Sequence, residues 1–146
     1  ETTLLGHVPT SLRDSCARST VDAPPTNFVA SVTCPAGSQT AVYSQFDSTT
    51  DMQTYFDQLA SENGFDGFSA RRNSGTCRFK PAYYEYTIGR SGTGGAVFCQ
   101  SKQEADSGMY IYWTDERLDI LSYAFRTDLN LPALYRWWLS DSGPVE

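Results

Sequence analysis

The sequence predicts an α+β fold: one antiparallel sheet of about five or six strands, with helices packed mainly on one face. Three observations carry this expectation. Short runs of aromatic and β-branched residues end in turn-forming residues, as strands do. Amphipathic helical periods follow some of those runs. The chain has 9 Tyr, 8 Phe and 3 Trp in 146 residues, the material of a core, which disordered chains lack. At this length a single domain is expected, with approximate halves 1–65 and 66–146. Such a chain buries roughly 70% of the surface its unfolded form exposes.

The elements follow in order. "TLLGHVPTSLRDSC" places apolar residues at Leu4, Leu5, Val8 and Leu12. Pro9 suits a first helical turn, so a short helix is expected from Pro9 to Cys16, with another turn before it. The connector "ARSTVDAPPTN" is polar and proline-rich. "FVASVTC" (28–34) and "TAVYSQF" (40–46) read as strands joined by a turn over "PAGSQ". Ser48 and Asp51 stand at capping-box spacing, ahead of a helix whose face carries Met52, Tyr55, Phe56 and Leu59. From Asn63 to Gly95 the pattern loosens into loop with one short strand. "GGAVFCQ" (94–100) and "MYIYW" (109–113) read as two more strands. A second helix is expected after Thr114 or Asp115, with Leu118, Leu121, Ser122 and Phe125 on one face. "NLPALYRWWLSDSGP" (130–144) closes the chain as a helix, with Leu131, Leu134 and Trp138 inward, Pro132 in its first turn and Gly143-Pro144 after it. Strand–strand–helix thus occurs twice, about 65 residues apart, as a faint internal repeat.

The four cysteines, Cys16, Cys34, Cys77 and Cys99, form no CxxC and allow three pairings. The repeat offset favours Cys16–Cys34 and Cys77–Cys99, which lie 18 and 22 residues apart. Disulfides of this kind suit an oxidising compartment; the alternative is four buried reduced thiols. No metal or other cofactor is expected, since His7 is the single histidine, at the entrance of the first helix. "GRSGTGG" leads into a strand and lacks the spacing of a phosphate loop. The net charge of −6 disfavours nucleic acid and anionic membrane surfaces as partners. No apolar run reaches the 18 or so residues of a membrane span, and no signal-peptide pattern is present. The chain opens at Glu1, close to a helix, as a matured chain or a piece of a longer protein would.

Two clusters invite a functional reading. Asp115, Glu116 and Asp119 crowd five positions, as catalytic carboxylates or metal ligands do. The same residues suit a helix start, where acids meet the positive end of the helix dipole, and that role is expected. Arg71, Arg72, Arg78 and Lys80 lie near Tyr83, Tyr84 and Tyr86. Cations beside phenols suit an anionic or carbohydrate-like ligand or a protein partner. The competing reading is a solvated loop whose tyrosines cover the sheet edge.

The motifs "LLGHVPTSLRDSC", "ASVTC", "YWTDERLDIL" and "LYRWW", in that order, resemble the extracytoplasmic, non-kinase domain of actinobacterial receptor-type serine/threonine protein kinases. The middle region does not share in the resemblance. No HRD, DFG or Gly-rich kinase loop occurs in the chain. The resemblance implies a non-catalytic ligand- or protein-binding sensor domain, outside the plasma membrane and held there by a segment beyond this chain. It implies an extracellular ligand or protein partner that shifts a homodimer or an orientation and so biases the kinase. Two other readings remain open: a stand-alone secreted or lipoprotein-type binding module, and a small hydrolase using carboxylates such as Asp115 and Asp119.

Overall fold

The computed structural model describes residues 2–21, 23–65, 75–87, 94–102 and 107–143, with Lys102 by its backbone alone. Two short helices, α1 (Thr2–His7) and α2 (Thr10–Arg13), lead into a two-residue strand β1 (Ala17–Arg18). Then come β2 (Phe28–Ala36), β3 (Gln39–Phe46) and the fourteen-residue α3 (Thr49–Glu62). Strands β4 (Ala82–Tyr86), β5 (Gly95–Lys102), β6 (Gly108–Asp115) and β7 (Ile120–Arg126) follow. Helix α4 (Leu131–Trp137) runs into a π-helical turn, Trp138–Ser142. The described strands form one seven-stranded antiparallel sheet in the order β1-β2-β3-β7-β6-β5-β4.

The α+β class is therefore the observed one, with seven strands rather than five or six. The strands beyond those expected are β1, inside the polar connector, and β7; β4 is the short strand of the loose middle region. Strand β1 is only two residues long and so offered no alternating run in the sequence.

The expected helix over Leu118–Phe125 is not formed. Those residues belong to the β6–β7 hairpin, and the second half runs strand–strand–strand, so the repeat of strand–strand–helix stops after two strands. The cause is burial on both faces. Every residue of β6 is buried, and β7 sends Leu121, Tyr123 and Phe125 to one face and Ile120, Ser122 and Ala124 to the other. A strand with two apolar faces has no period of two, and its apolar positions happen to match a helical spacing.

Strand alternation divides the core into two. On one face α1, α2 and α4 bring Leu4, Val8, Leu12, Leu131, Leu134 and Trp138 against Val32, Tyr43, Val97, Ile111, Trp113 and Ala124. On the other, α3 alone brings Met52, Phe56 and Ala60 against Phe46, Tyr83, Phe98, Tyr112 and Leu121. The first is here called the terminal face and the second the α3 face. Helix α3 starts where expected: the Ser48 side chain accepts the Asp51 N–H at 3.3 Å. Its last turn is held by Asn63, whose amide donates to the Leu59 carbonyl. Gly37 takes φ 64° in the tight β2–β3 turn, a conformation glycine adopts without a Cβ penalty. A side chain on Gly95 would run into the Thr114 carbonyl, so β5 approaches β6 there only because the residue is glycine.

Cys16 is linked to Cys34 and Cys77 to Cys99, with Cα atoms 4.0 and 5.9 Å apart. Topology rules out a Cys34–Cys99 link. Cys34 on β2 and Cys99 on β5 are four strand spacings apart, about 19 Å, far beyond the reach of a disulfide. The two bridges fit an oxidising, extracellular or secreted setting. No described helix is long and apolar enough to cross a membrane.

Candidate functional site

The acidic cluster sits in the β6–β7 turn, not at a helix start. Asp115, only 4% exposed, ends β6. Its carboxylate accepts the Arg117 backbone N–H at 3.1 Å and the Arg117 guanidinium at 2.9 and 3.2 Å. These hydrogen bonds raise the Arg117 pKa above its ordinary value. Glu116 accepts from the Gln53 amide at 2.9 Å, and Asp119 accepts from the Thr49 hydroxyl. Asp119 also takes φ 52°, the left-handed conformation that Asp tolerates in turns. So Asp115 braces the turn from within, while Glu116 and Asp119 fasten it to the first turns of α3. Among the described residues no group of three or more His, Cys, Asp or Glu is arranged to hold a metal ion. His7 borders a recess of about 10 Å³ with Tyr43, Trp113 and Asp115, too small for more than a water.

The predicted patch is divided by the fold. Arg71 and Arg72 lie outside the described residues. Arg78 and Lys80 are exposed in the turn that leaves Cys77, and the Arg78 guanidinium stands 4.9 Å from the centre of the Phe79 ring. Phe79 itself is 73% exposed. The tyrosines point elsewhere, because β4 alternates. Tyr83 is buried on the α3 face against Phe56 and Phe98, and its hydroxyl donates to Asp57 at 2.8 Å. Tyr84 and Tyr86 turn to the terminal face. Burial pushes the Tyr84 phenol well above its ordinary value, and the neighbouring Tyr135 adds to this. Tyr86 donates to the Thr114 carbonyl and meets Trp138 edge-on at 5.8 Å. Tyr83 is thus a packing residue on the face opposite Tyr84 and Tyr86, while Tyr84 reaches the Cys77 backbone beside Arg78.

An opening among the described residues lies on the α3 face, and its cause is simple geometry. Seven strands span about 29 Å between the outer axes, whereas one helix is only about 10 Å wide. A helix packed over Tyr83, Phe98 and Phe46 leaves part of that face uncovered. The result is a trough of about 280 Å³. Its floor is Ser31 from β2, Val42 and Ser44 from β3, Tyr123 from β7 and Tyr112 from β6. Tyr55 and Leu59 of α3 form one wall; Val21, Pro25 and Phe28 form the other. Past Tyr55 and Pro25 it continues into a recess of about 240 Å³ lined by Thr26, Asp51, Thr54 and Gln58.

The sheet register builds the floor. Tyr83, Phe98, Tyr112, Tyr123 and Val42 occupy one row straight across five strands. Helix α3 covers the first two, and the row emerges into the trough at Tyr112 and Tyr123. Tyr112 stacks on Phe98 at 4.6 Å and lies 5.5 Å from Tyr123; Tyr110 and Phe125 extend the near-parallel array in the next row. Ser31 and Ser44 face each other across β2 and β3, their hydroxyls 3.1 Å apart. Burial pushes the Tyr112 phenol well above its ordinary value, with Tyr110 and Tyr55 adding to it. Tyr123 is raised by burial and then by Tyr112, Tyr110 and Tyr55. These mutual effects mark a convergence of phenols from α3, β6 and β7. None of the described residues lining the trough carries a formal charge, in a chain of net charge −6. The arrangement offers the half-buried Tyr123 ring and several hydroxyls to a ligand. The sequence reading missed it: Val42, Ser44 and Phe46 share one face of β3, but β7, buried on both faces, shows no alternation to reveal its half of the floor.

Compared with protein-family models, with curated proteins and with solved structures, the chain matches none.

Proposed function

We propose that this chain is a non-catalytic extracytoplasmic binding domain, the sensor side of a transmembrane serine/threonine protein kinase, and that its ligand occupies the trough beside α3. The trough carries the reading: an aromatic floor and neutral hydroxyls are built for contact with a ligand rather than for proton transfer near neutral pH. Two further observations support it. The disulfides fit a position outside the cytoplasm. The cluster of Asp115, Glu116 and Asp119 is engaged in holding a turn, which lends nothing to the hydrolase reading. Ligand binding would act on the kinase by favouring one dimeric arrangement or orientation over another.

The test uses the full-length gene product. A membrane-spanning segment preceded by kinase motifs is expected ahead of this chain. Filling the trough with Ser44→Tyr should alter autophosphorylation in cells while leaving the isolated domain folded. A gene product without a kinase would leave the stand-alone secreted or lipoprotein-type module. An unchanged phosphorylation level would remove the trough from the signalling path.

A further inference from the structure

We infer that the trough takes a neutral glycan, with one sugar ring packed on Tyr123 and the chain running past Tyr55 toward Asp51, Thr54 and Gln58. This rests on the trough being the ligand site and names the class of ligand.

Charge, chemistry and size each narrow the choice. The described lining of the trough holds no cation to neutralise an anion, and the carboxylate nearest to it, Asp51 in the adjoining recess, is already engaged by the Asn27 amide rather than free to pair a cation. A purely apolar ligand fits poorly as well. It would strip water from the hydroxyls of Ser44, Tyr55 and Tyr123 without replacing its hydrogen bonds. A sugar ring satisfies both demands, since its C–H face packs on an aromatic face while its equatorial hydroxyls donate and accept at the rim. Each phenol and serine hydroxyl can likewise donate and accept.

The trough of about 280 Å³ lies near the lower end of small-molecule sites, roughly 300 Å³, the scale of a ring or two rather than of a peptide helix. The adjoining recess changes character in the direction a chain would take. Asp51 offers carboxylate oxygens to hydroxyl donors, Gln58 an amide and Thr54 a hydroxyl. The Asp51 carboxylate is itself anchored by the Asn27 side-chain amide, so it is held in place at the trough's end. Aromatic floor, neutral hydroxyl walls and an amide–carboxylate end are the features a neutral, polyhydroxylated chain uses together.

The experiment is an amide-resolved NMR titration of the disulfide-intact domain with four probes: cellotriose, the trimer of N-acetylglucosamine, trigalacturonate and indole. Saturable shifts from one of the neutral trimers, confined to residues around Ser44, Tyr55 and Tyr123, are expected. Tyr123→Ala should weaken that binding about tenfold or more, and Tyr123→Phe, which keeps the ring, about threefold. Both variants are checked by urea unfolding, and Tyr123→Phe keeps the test decisive should Tyr123→Ala fail to fold. Trough shifts from trigalacturonate or indole alone would overturn the glycan assignment while leaving the trough as the ligand site. No trough shifts from any probe, or equal binding by wild type and Tyr123→Ala, would also overturn it. The phosphorylation response of Ser44→Tyr reports on the sensor reading independently.

Discussion

The three acids of the β6–β7 turn show how similar local chemistry serves two structures. An aspartate that accepts a backbone N–H two residues on can begin a helix or brace a turn, and here Asp115 braces a turn. Because Asp115 is buried and bonded to both the backbone and the side chain of Arg117, Asp115→Ala should cost about 1–3 kcal/mol in urea unfolding. Asp119→Ala should destabilise more than Asp119→Gly: both lose the Thr49 bond, but only alanine must also hold φ 52° with a Cβ. The phenols respond to pH. Tyr43, Tyr84, Tyr86 and Tyr112 are all raised above their ordinary value, first by burial. A group whose folded pKa is raised contributes stability that is complete below its unfolded value, near 10, and is lost as pH climbs through the folded one. The domain should therefore weaken steadily above about pH 10. Absorbance at 295 nm should separate tyrosines that ionise early from a class that ionises only on unfolding; a single titration of all nine together would contradict this burial.

Among the elements, the start and face of α3 were readable from the chain. Ser48 caps it and Met52 and Phe56 are buried as their spacing implies, while the Asp51 carboxylate bonds Asn27 instead of closing a capping box. Ser48→Ala should cost about 1 kcal/mol, and denaturant melts of the domain will measure it. Strands β2, β3, β5 and β6 were equally legible, because each is a run of β-formers ended by turn residues. Strand β7 was not, since a strand buried on both sides displays no alternation and Leu118, Leu121, Ser122 and Phe125 imitate a helical stripe. The trough was hidden for a different reason. Its lining comes from β2, β3, α3, β6, β7 and the connector before β2, and only the strand order brings them together. The tyrosines of β4 were read as one group, whereas strand alternation sends Tyr83 to one face and Tyr84 and Tyr86 to the other.

For the molecule as a whole, the bridges secure two remote ends of one sheet. Cys16–Cys34 ties the exit of α2 to β2, and Cys77–Cys99 ties the turn before β4 to β5. Each closes a loop of about 20 residues, so Cys16→Ser with Cys34→Ser, or Cys77→Ser with Cys99→Ser, should lower stability by about 3 kcal/mol. The two losses should add within about 0.5 kcal/mol, since the bridges share no partners. Unfolding with and without reductant measures both. The placement of α1 and of the last π-helical turn has a practical outcome as well. The described chain begins and finishes on the side of the sheet that the trough turns away from. A tether grafted to Thr2 or Gly143, whether a biotin handle on a biosensor chip or a fused fluorescent reporter, would leave the tyrosine array open to solvent, and docking at that array would not be blocked by the anchorage.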